Sequence, residues 1–352
     1  MQMKRRYVVA LGVMLLVMGA CTDDHELISD EEVSSRGIAY LVDDIADYDT
    51  ASTRGVVSSV ADLTTIEAYA FKSDGTQYIG TEDTGASLKY DSSTGNVSVL
   101  SGAARWPEDG SALTFHALTP NGDECVRDKS VTSKGVSFTM DLPAEKAEDT
   151  DILYAVRRSV TETSYDGAVP LQFKHLLCRM RFGSLSYQES NLEVFPRRIV
   201  LRGVPTRCGY SNVNRTNWKI TKDSSAATDS IVLYEGDGTE NLETVWESKV
   251  NKGGALDRQF LPGTYTVEME CHARVTYLTD DGIGPTWVVG DEEEYVTRSY
   301  SFNISSSYVG YRVTVNARVE YFGIPNLDFS IVVSDAGLAN QTSDVDLGTK
   351  TF

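Results

Sequence analysis

Apolar residues recur at every second position along much of this chain, and clusters of Gly, Asp, Asn and Ser separate the alternating runs. That period belongs to strands with one face on a core and one in water. The clearest run sets Tyr265, Val267, Met269, Cys271, Ala273, Val275 and Tyr277 against Thr266, Glu268, Glu270, His272, Arg274 and Thr276. Pro262-Gly263 turns the chain into this strand and Asp280-Asp281-Gly282 turns it out. Tyr311, Val313, Val315, Ala317, Val319 and Tyr321 make a second such face, and Ile66 to Phe71, closed by Ser73-Asp74-Gly75, a third. Shorter strands are expected over Leu113 to Leu118, Val136 to Met140 and Ile152 to Val156. Near mid-chain Leu176, Cys178, Met180 and Phe182 share a face as one long strand. Phe173 and His175 stand on the other parity, which predicts a bulge or broken turn around Lys174. Ile38, Tyr40 and Val42 alternate as a first strand, Leu327, Phe329, Ile331 and Val333 as a late one, and Val345, Leu347, Thr349 and Thr351 as a short, weakly apolar last one. Few windows carry helical periodicity. Many short strands at roughly ten-residue spacing, with no helices between them, predict an all-β chain built as sandwiches. Its 352 residues suffice for two, expected over 37–187 and 188–352 and joined near Tyr187 to Asn191.

The N-terminus breaks this pattern. Lys4, Arg5 and Arg6 precede an apolar run from Tyr7 to Met18, too short to cross a bilayer, so residues 1–20 read as a secretory signal peptide. The run closes on Gly19-Ala20-Cys21, which resembles the bacterial lipobox, where cleavage leaves the cysteine to carry lipid. Cys21 is thus the expected lipidation site. Residues 21–36 follow as an acidic tail beginning Thr22-Asp23-Asp24-His25-Glu26. Each buried acyl methylene is worth about 0.8 kcal/mol, so a multiply acylated cysteine would hold the chain to a membrane.

Charge and chemistry narrow the picture further. With 32 Lys and Arg against 51 Asp and Glu, the net charge of −19 leaves no basic stripe for nucleic acid. Besides Cys21, the chain has Cys125, Cys178, Cys208 and Cys271, which allow three pairings or isolated core thiols, and no spacing for zinc. His116 and His175 lie among apolar residues and read as buried, hydrogen-bonded core histidines; His25 is in the tail and His272 on a polar strand face. Asp291 to Glu294 lacks the calcium-loop pattern and reads as a solvated loop. No nucleophile elbow, zinc-protease helix, phosphate loop or dinucleotide fingerprint occurs, so the chain is not expected to be an enzyme, and no cofactor or metal is called for. Trp106-Pro107 is expected to close one sandwich end.

Several segments in order carry a resemblance. Thr53-Arg54-Gly55, the strand ending Tyr69-Ala70-Phe71, Trp106-Pro107, and Leu113-Thr114-Phe115-His116-Ala117-Leu118-Thr119-Pro120 resemble the N-terminal half of the fimbrillin (Mfa-like) family of Bacteroidetes surface lipoproteins. Asp151-Ile152-Leu153-Tyr154-Ala155 and Leu171-Gln172-Phe173-Lys174-His175-Leu176-Leu177 continue the family's order. The resemblance covers roughly residues 21 to 185. It implies two sandwiches of transthyretin-like topology, and an acidic tail that acts in export to the outer face of the outer membrane. It also implies trimming after an arginine and assembly into a pilus by strand exchange with other subunits. Arg54-Gly55 is the expected cut, behind the polar loop Asp43 to Thr53, with Arg36-Gly37 as the alternative. Asp49-Thr50-Ala51 and Asp229-Ser230-Ile231 resemble the O-glycan acceptors of these bacteria. The weakly apolar tail inclines the reading to a tip or accessory subunit contributing to adhesion, which could meet a host or bacterial surface receptor. The alternative is a glycan-binding lipoprotein of a polysaccharide-uptake system, with Trp218, Trp246, Trp287 and some of the 18 tyrosines as its platform. A hydrolase whose carboxylates come from distant strands stands third.

Overall fold

Alternation says where strands lie; only their ladders say which strands meet. The structure is a computed structural model that describes residues 36–46, 63, 65–81, 83–91, 93–120, 124–144, 151–164, 168–251, 258–279, 282–291, 294–305, 310, 312–321 and 327–335. Cys21, Arg54 and Gly55, with the acceptor-like Thr50 and the strand expected from Val345, lie outside them. In chain order the first strands are β1 (Ala39–Ala46), β2 (Thr65–Lys72), β3 (Gln77–Ile79), β4 (Ala86–Asp91), β5 (Asn96–Ser101), β6 (Leu113–Thr119) and β7 (Val126–Thr132). They continue with β8 (Gly135–Asp141), β9 (Leu153–Val160), β10 (Ala168–His175), β11 (Cys178–Tyr187), β12 (Leu192–Pro205), β13 (Arg207–Ser211) and β14 (Lys219–Lys222). The remainder are β15 (Thr228–Glu235), β16 (Arg258–Phe260), β17 (Gly263–Thr279), β18 (Gly282–Val289), β19 (Val296–Ile304), β20 (Arg312–Tyr321) and β21 (Leu327–Asp335).

These strands form four sheets. The first runs β1-β10-β9-β6-β2-β4-β5, with β3 on β2. Its ladders are antiparallel except that of β1 on β10. The second runs β15-β12-β17-β18 with β19 also on β17, and the third β16-β11-β20-β21. The fourth, β14-β13-β8-β7, joins strands from either side of residue 187.

Three cores follow from these pairings. Ile66, Ala68 and Ala70 of β2 face a first core with Phe115, Leu171 and Phe173. The opposite face of the same strand sends Tyr69 and Phe71 to a core shared with Phe138, Met140 and Tyr210 of the fourth sheet. Ile66 to Phe71 are therefore all buried, Glu67 included. That carboxylate is satisfied by the Gly85 N–H at 2.9 Å and by the Lys129 ammonium. The remaining core sets Val267, Met269 and Cys271 of β17 with Met180 and Phe182 of β11 and Val313 and Val315 of β20. Into it drops a short helix, α1 (Leu242–Val245), capped by the Asn241 carboxamide oxygen accepting from the Glu243 N–H at 2.9 Å. It continues as a π-helical turn, Trp246–Val250. Trp246 meets Phe182 edge-on at 5.5 Å and donates from Nε1 to the Gly183 carbonyl at 2.9 Å.

Two expectations change in detail. The mid-chain strand is two strands: β10 ends at His175 and β11 begins at Cys178 in another sheet, with Leu176 and Leu177 between them in the core around Tyr210. The interruption expected around Lys174 is thus a passage between sheets, because these leucines fill a core that needs residues from both halves. β11, which falls within residues 37–187, pairs with β16 and β20. His272, on the face expected to meet water, is buried, between Trp287 at 4.6 Å and Tyr295 stacked at 4.8 Å. Cys125, Cys178, Cys208 and Cys271 are all buried, and burial pushes the Cys208 thiol up to about 11.

Candidate functional site

The first strand occupies its place differently from the others. β1 lies parallel to β10 from Ala39 opposite Ala168 to Ala46 opposite Lys174, with a bulge between Val42 and Asp44. A parallel neighbour cannot be reached through a tight turn, and the strand that follows β1 in the chain, β2, pairs with β3, β4 and β6 instead. Ile38, Tyr40 and Val42 point into the first core at 6%, 7% and 7% exposure, whereas Leu41 faces outward at 45%. Each buried side chain of this size stabilises the seat of β1 by about 1.5–3 kcal/mol. In return β1 supplies most of the ladder of β10, since β10 meets β9 in register only at Lys174 and His175.

On its other side the strand's entrance is clasped. The Ile38 N–H donates to the Ala104 carbonyl at 2.9 Å, and the Trp106 N–H to the Arg36 carbonyl at 3.1 Å, around a bridge between Gly37 and Arg105. The Arg36 N–H donates to Glu162 Oε1 at 3.2 Å. Residues 104–106 reach this position because the chain bends after β5 at Gly102, whose φ of 72° suits glycine. Tyr40 meets Phe115 edge-on at 6.1 Å, and Phe115 meets Trp106 at 5.9 Å. The slot is therefore an apolar trough between the edge of β10 that β1 covers and a clasp at 104–106, and its parts come together only in the fold. Of the residues expected at a processing site, Arg36 and Gly37 are exposed yet bound into this clasp, and Arg54 and Gly55 lie outside the described residues.

Other candidate residues have structural employment. His116 Nδ1 pairs with the Tyr154 hydroxyl at 2.7 Å, and burial, helped by Arg158, pulls its pKa down to about 4. His175 pairs with Asp151 at 2.9 Å, both buried. Trp106 is 1% exposed and Trp246 fully buried. Trp218 packs edge-on against Tyr154 at 5.1 Å, while Trp287 sits beside Phe195 and Arg274 on the outer face of β18. Ser230 is exposed on the edge strand β15, and Asp229 accepts from the Ala144 N–H at 2.9 Å. A cleft of about 380 Å³ beside Cys125 is lined by Arg127, Asp141 and Arg207, whose charges pair with one another. Among the described residues, no cluster of three or more His, Cys, Asp or Glu could hold a metal, and no helix is long and apolar enough to cross a membrane.

Comparison with solved structures finds a fimbrial protein from Bacteroides vulgatus at 12% identity, covering 85% of this chain and 99% of that one with a TM-score of 0.48. A candidate cell adhesion protein from Bacteroides uniformis matches at 15% identity, 85% and 97% coverage and a TM-score of 0.42. Another from Parabacteroides distasonis matches at 11% identity, 88% and 98% coverage and a TM-score of 0.45. No curated protein matches. The family model described as fimbrillin-like matches residues 53–253, more than half of the 352 residues. With that length of chain on the model, from just before Arg54 through α1, this protein belongs to the fimbrillin-like family.

Proposed function

We propose that the chain is a subunit of a surface fimbrium, at its tip or as an accessory, that receives a strand from a neighbouring subunit in the slot now held by β1. The observation that carries this reading is the seating of β1: a parallel edge strand with three buried side chains and no tight turn to its sheet. Its departure would leave β10 with an open ladder over an apolar trough, a template for a strand from another chain. Cutting behind Arg54 would free it. The clasp that binds the Arg36 peptide on both sides supports Arg54 over Arg36, since a protease needs an extended, unpaired segment. The family match, which begins at residue 53 and leaves β1 outside, supports the same choice.

On this reading Cys21 carries the lipid of a precursor held at the outer membrane, and the work at the cell surface is done by backbone pairing and apolar contact, without catalysis. The domains expected over 37–187 and 188–352, with transthyretin-like topology, would act as one subunit, because β8 pairs with β13 across them. Of the tryptophans that a glycan platform would draw on, Trp246 is buried and Trp218 packs into a core, which favours strand exchange over glycan binding. The test is limited digestion with trypsin of the soluble chain beginning at Thr22, followed by mass analysis and addition of a peptide of residues 37–46. A cut after Arg54, an intact Arg36-Gly37 bond and incorporation of the peptide are expected. Protection of Arg54, or a core that refuses its own strand, would overturn the reading.

A further inference from the structure

We infer that the slot of β1 contains an aromatic socket at the position of Tyr40, and that this socket chooses the incoming strand. The socket rests on the strand-exchange reading above and names the partner that reading leaves open. Of the three inward side chains among the described ones, Ile38 and Val42 are branched aliphatics on either side of Tyr40. Tyr40, between them, reaches across the core to Phe115 of β6, which lies beyond β10 and β9 in the sheet, and meets it edge-on at 6.1 Å and 88°. Phe115 is fully buried, and Trp106 behind it, at 5.9 Å, is 1% exposed. The backbone beside Trp106 is held without help from β1, since the Tyr78 hydroxyl donates to the Arg105 carbonyl at 2.9 Å. Both rings are already buried in the first core, so a strand without a ring opposite Phe115 would leave a cavity there.

The ring also sets register. Side chains on a strand change face at every residue, so a slip of one position would turn the ring outward to where Leu41 now stands. The partner is therefore a strand with an aromatic residue flanked, two positions away on each side, by branched aliphatics. Within this chain Leu327, Phe329 and Ile331 offer that pattern but belong to β21, laddered along its length to β20; residues 343–352 do not offer it, since Val345, Leu347 and Thr349 share a parity and Phe352 lies off it. With the one matching segment committed to β20, residues 343–352 of a second copy fit the socket poorly, and the fitting donor is a strand of a different subunit.

The experiment uses the chain from Thr22, opened after Arg54 or, should that bond resist, at a site-specific protease sequence placed over residues 51–56. Mild denaturant allows the resident strand to leave, and labelled peptides compete for the slot. The four probes are residues 37–46, the same peptide with Tyr40→Phe, the same with Tyr40→Ala, and residues 343–352. The native and Tyr40→Phe peptides are expected to bind alike, and the other two about a hundredfold more weakly or worse. Equal binding of the Tyr40→Ala peptide would overturn the socket while strand exchange stood. A tail peptide binding as tightly as residues 37–46 would overturn the choice of a different subunit. Failure of the native peptide to enter would remove the strand-exchange reading and the socket with it.

Discussion

At the scale of single residues, burial decides what polar groups do. His116 was legible as a core histidine from its apolar neighbours, and its pairing with the Tyr154 hydroxyl at 2.7 Å bears that out. Its pKa is pulled from the usual 6.5 down to about 4, because burial, and secondarily the charge of Arg158, disfavours the imidazolium. The unfolded chain therefore binds this proton first as pH falls. Stability carried by the neutral ring is complete above about 6.5 and declines between there and about 4, by on the order of 2–3 kcal/mol. Urea midpoints taken across that range should fall in the parent and fall less in His116→Gln; equal slopes would count against the assignment. His272 went the other way. Its place among Glu268, Glu270, Arg274 and Thr276 marked a wet face, and only the arrival of Trp287 from β18 and of Tyr295 from the residue before β19 covers it.

Among elements, β1 differs most from its neighbours. Central strands such as β2 have ladders on both edges and cores on both faces. β1 has one ladder, and beyond it a clasp at its entrance. Local opening follows such differences, so in native-state hydrogen exchange the amides of Tyr40 to Val42 should exchange well before those of Ile66 to Phe71. Equal protection would mean that β1 opens only with the whole fold, which the slot argued above could not tolerate. The alternation Ile38-x-Tyr40-x-Val42 announced a strand, but a parallel partner more than a hundred residues away leaves no local mark. α1 was missed for a related reason: Leu242, Val245, Trp246 and Val250 do share a helical face, yet two short turns among strands give too brief a period to stand out.

Across the whole molecule, the sheet β14-β13-β8-β7 and the core around Tyr69, Phe138, Tyr210 and Leu261 bind residues from both halves of the chain. Phe138 stacks on Tyr210 at 5.2 Å with planes 3° apart. Melting should therefore be one calorimetric transition, and Phe138→Ala should lower stability by about 3–5 kcal/mol. Two transitions, one for each half, would show that this shared core does not couple them. The hydrophobic pattern by itself determined that the chain is all β, where most strands lie and which faces are apolar, as in Tyr265 to Val275. Alternation is a local consequence of pleating, so it is written into consecutive residues. Tertiary structure alone decided that Leu176-Leu177 passes between sheets, that both faces of β2 are buried and that β1 lies parallel to β10. It also decided that residues 104–106 close the slot. Strand pairing is a contact between distant segments, and the residues that make it carry the same alternation whichever partner they meet.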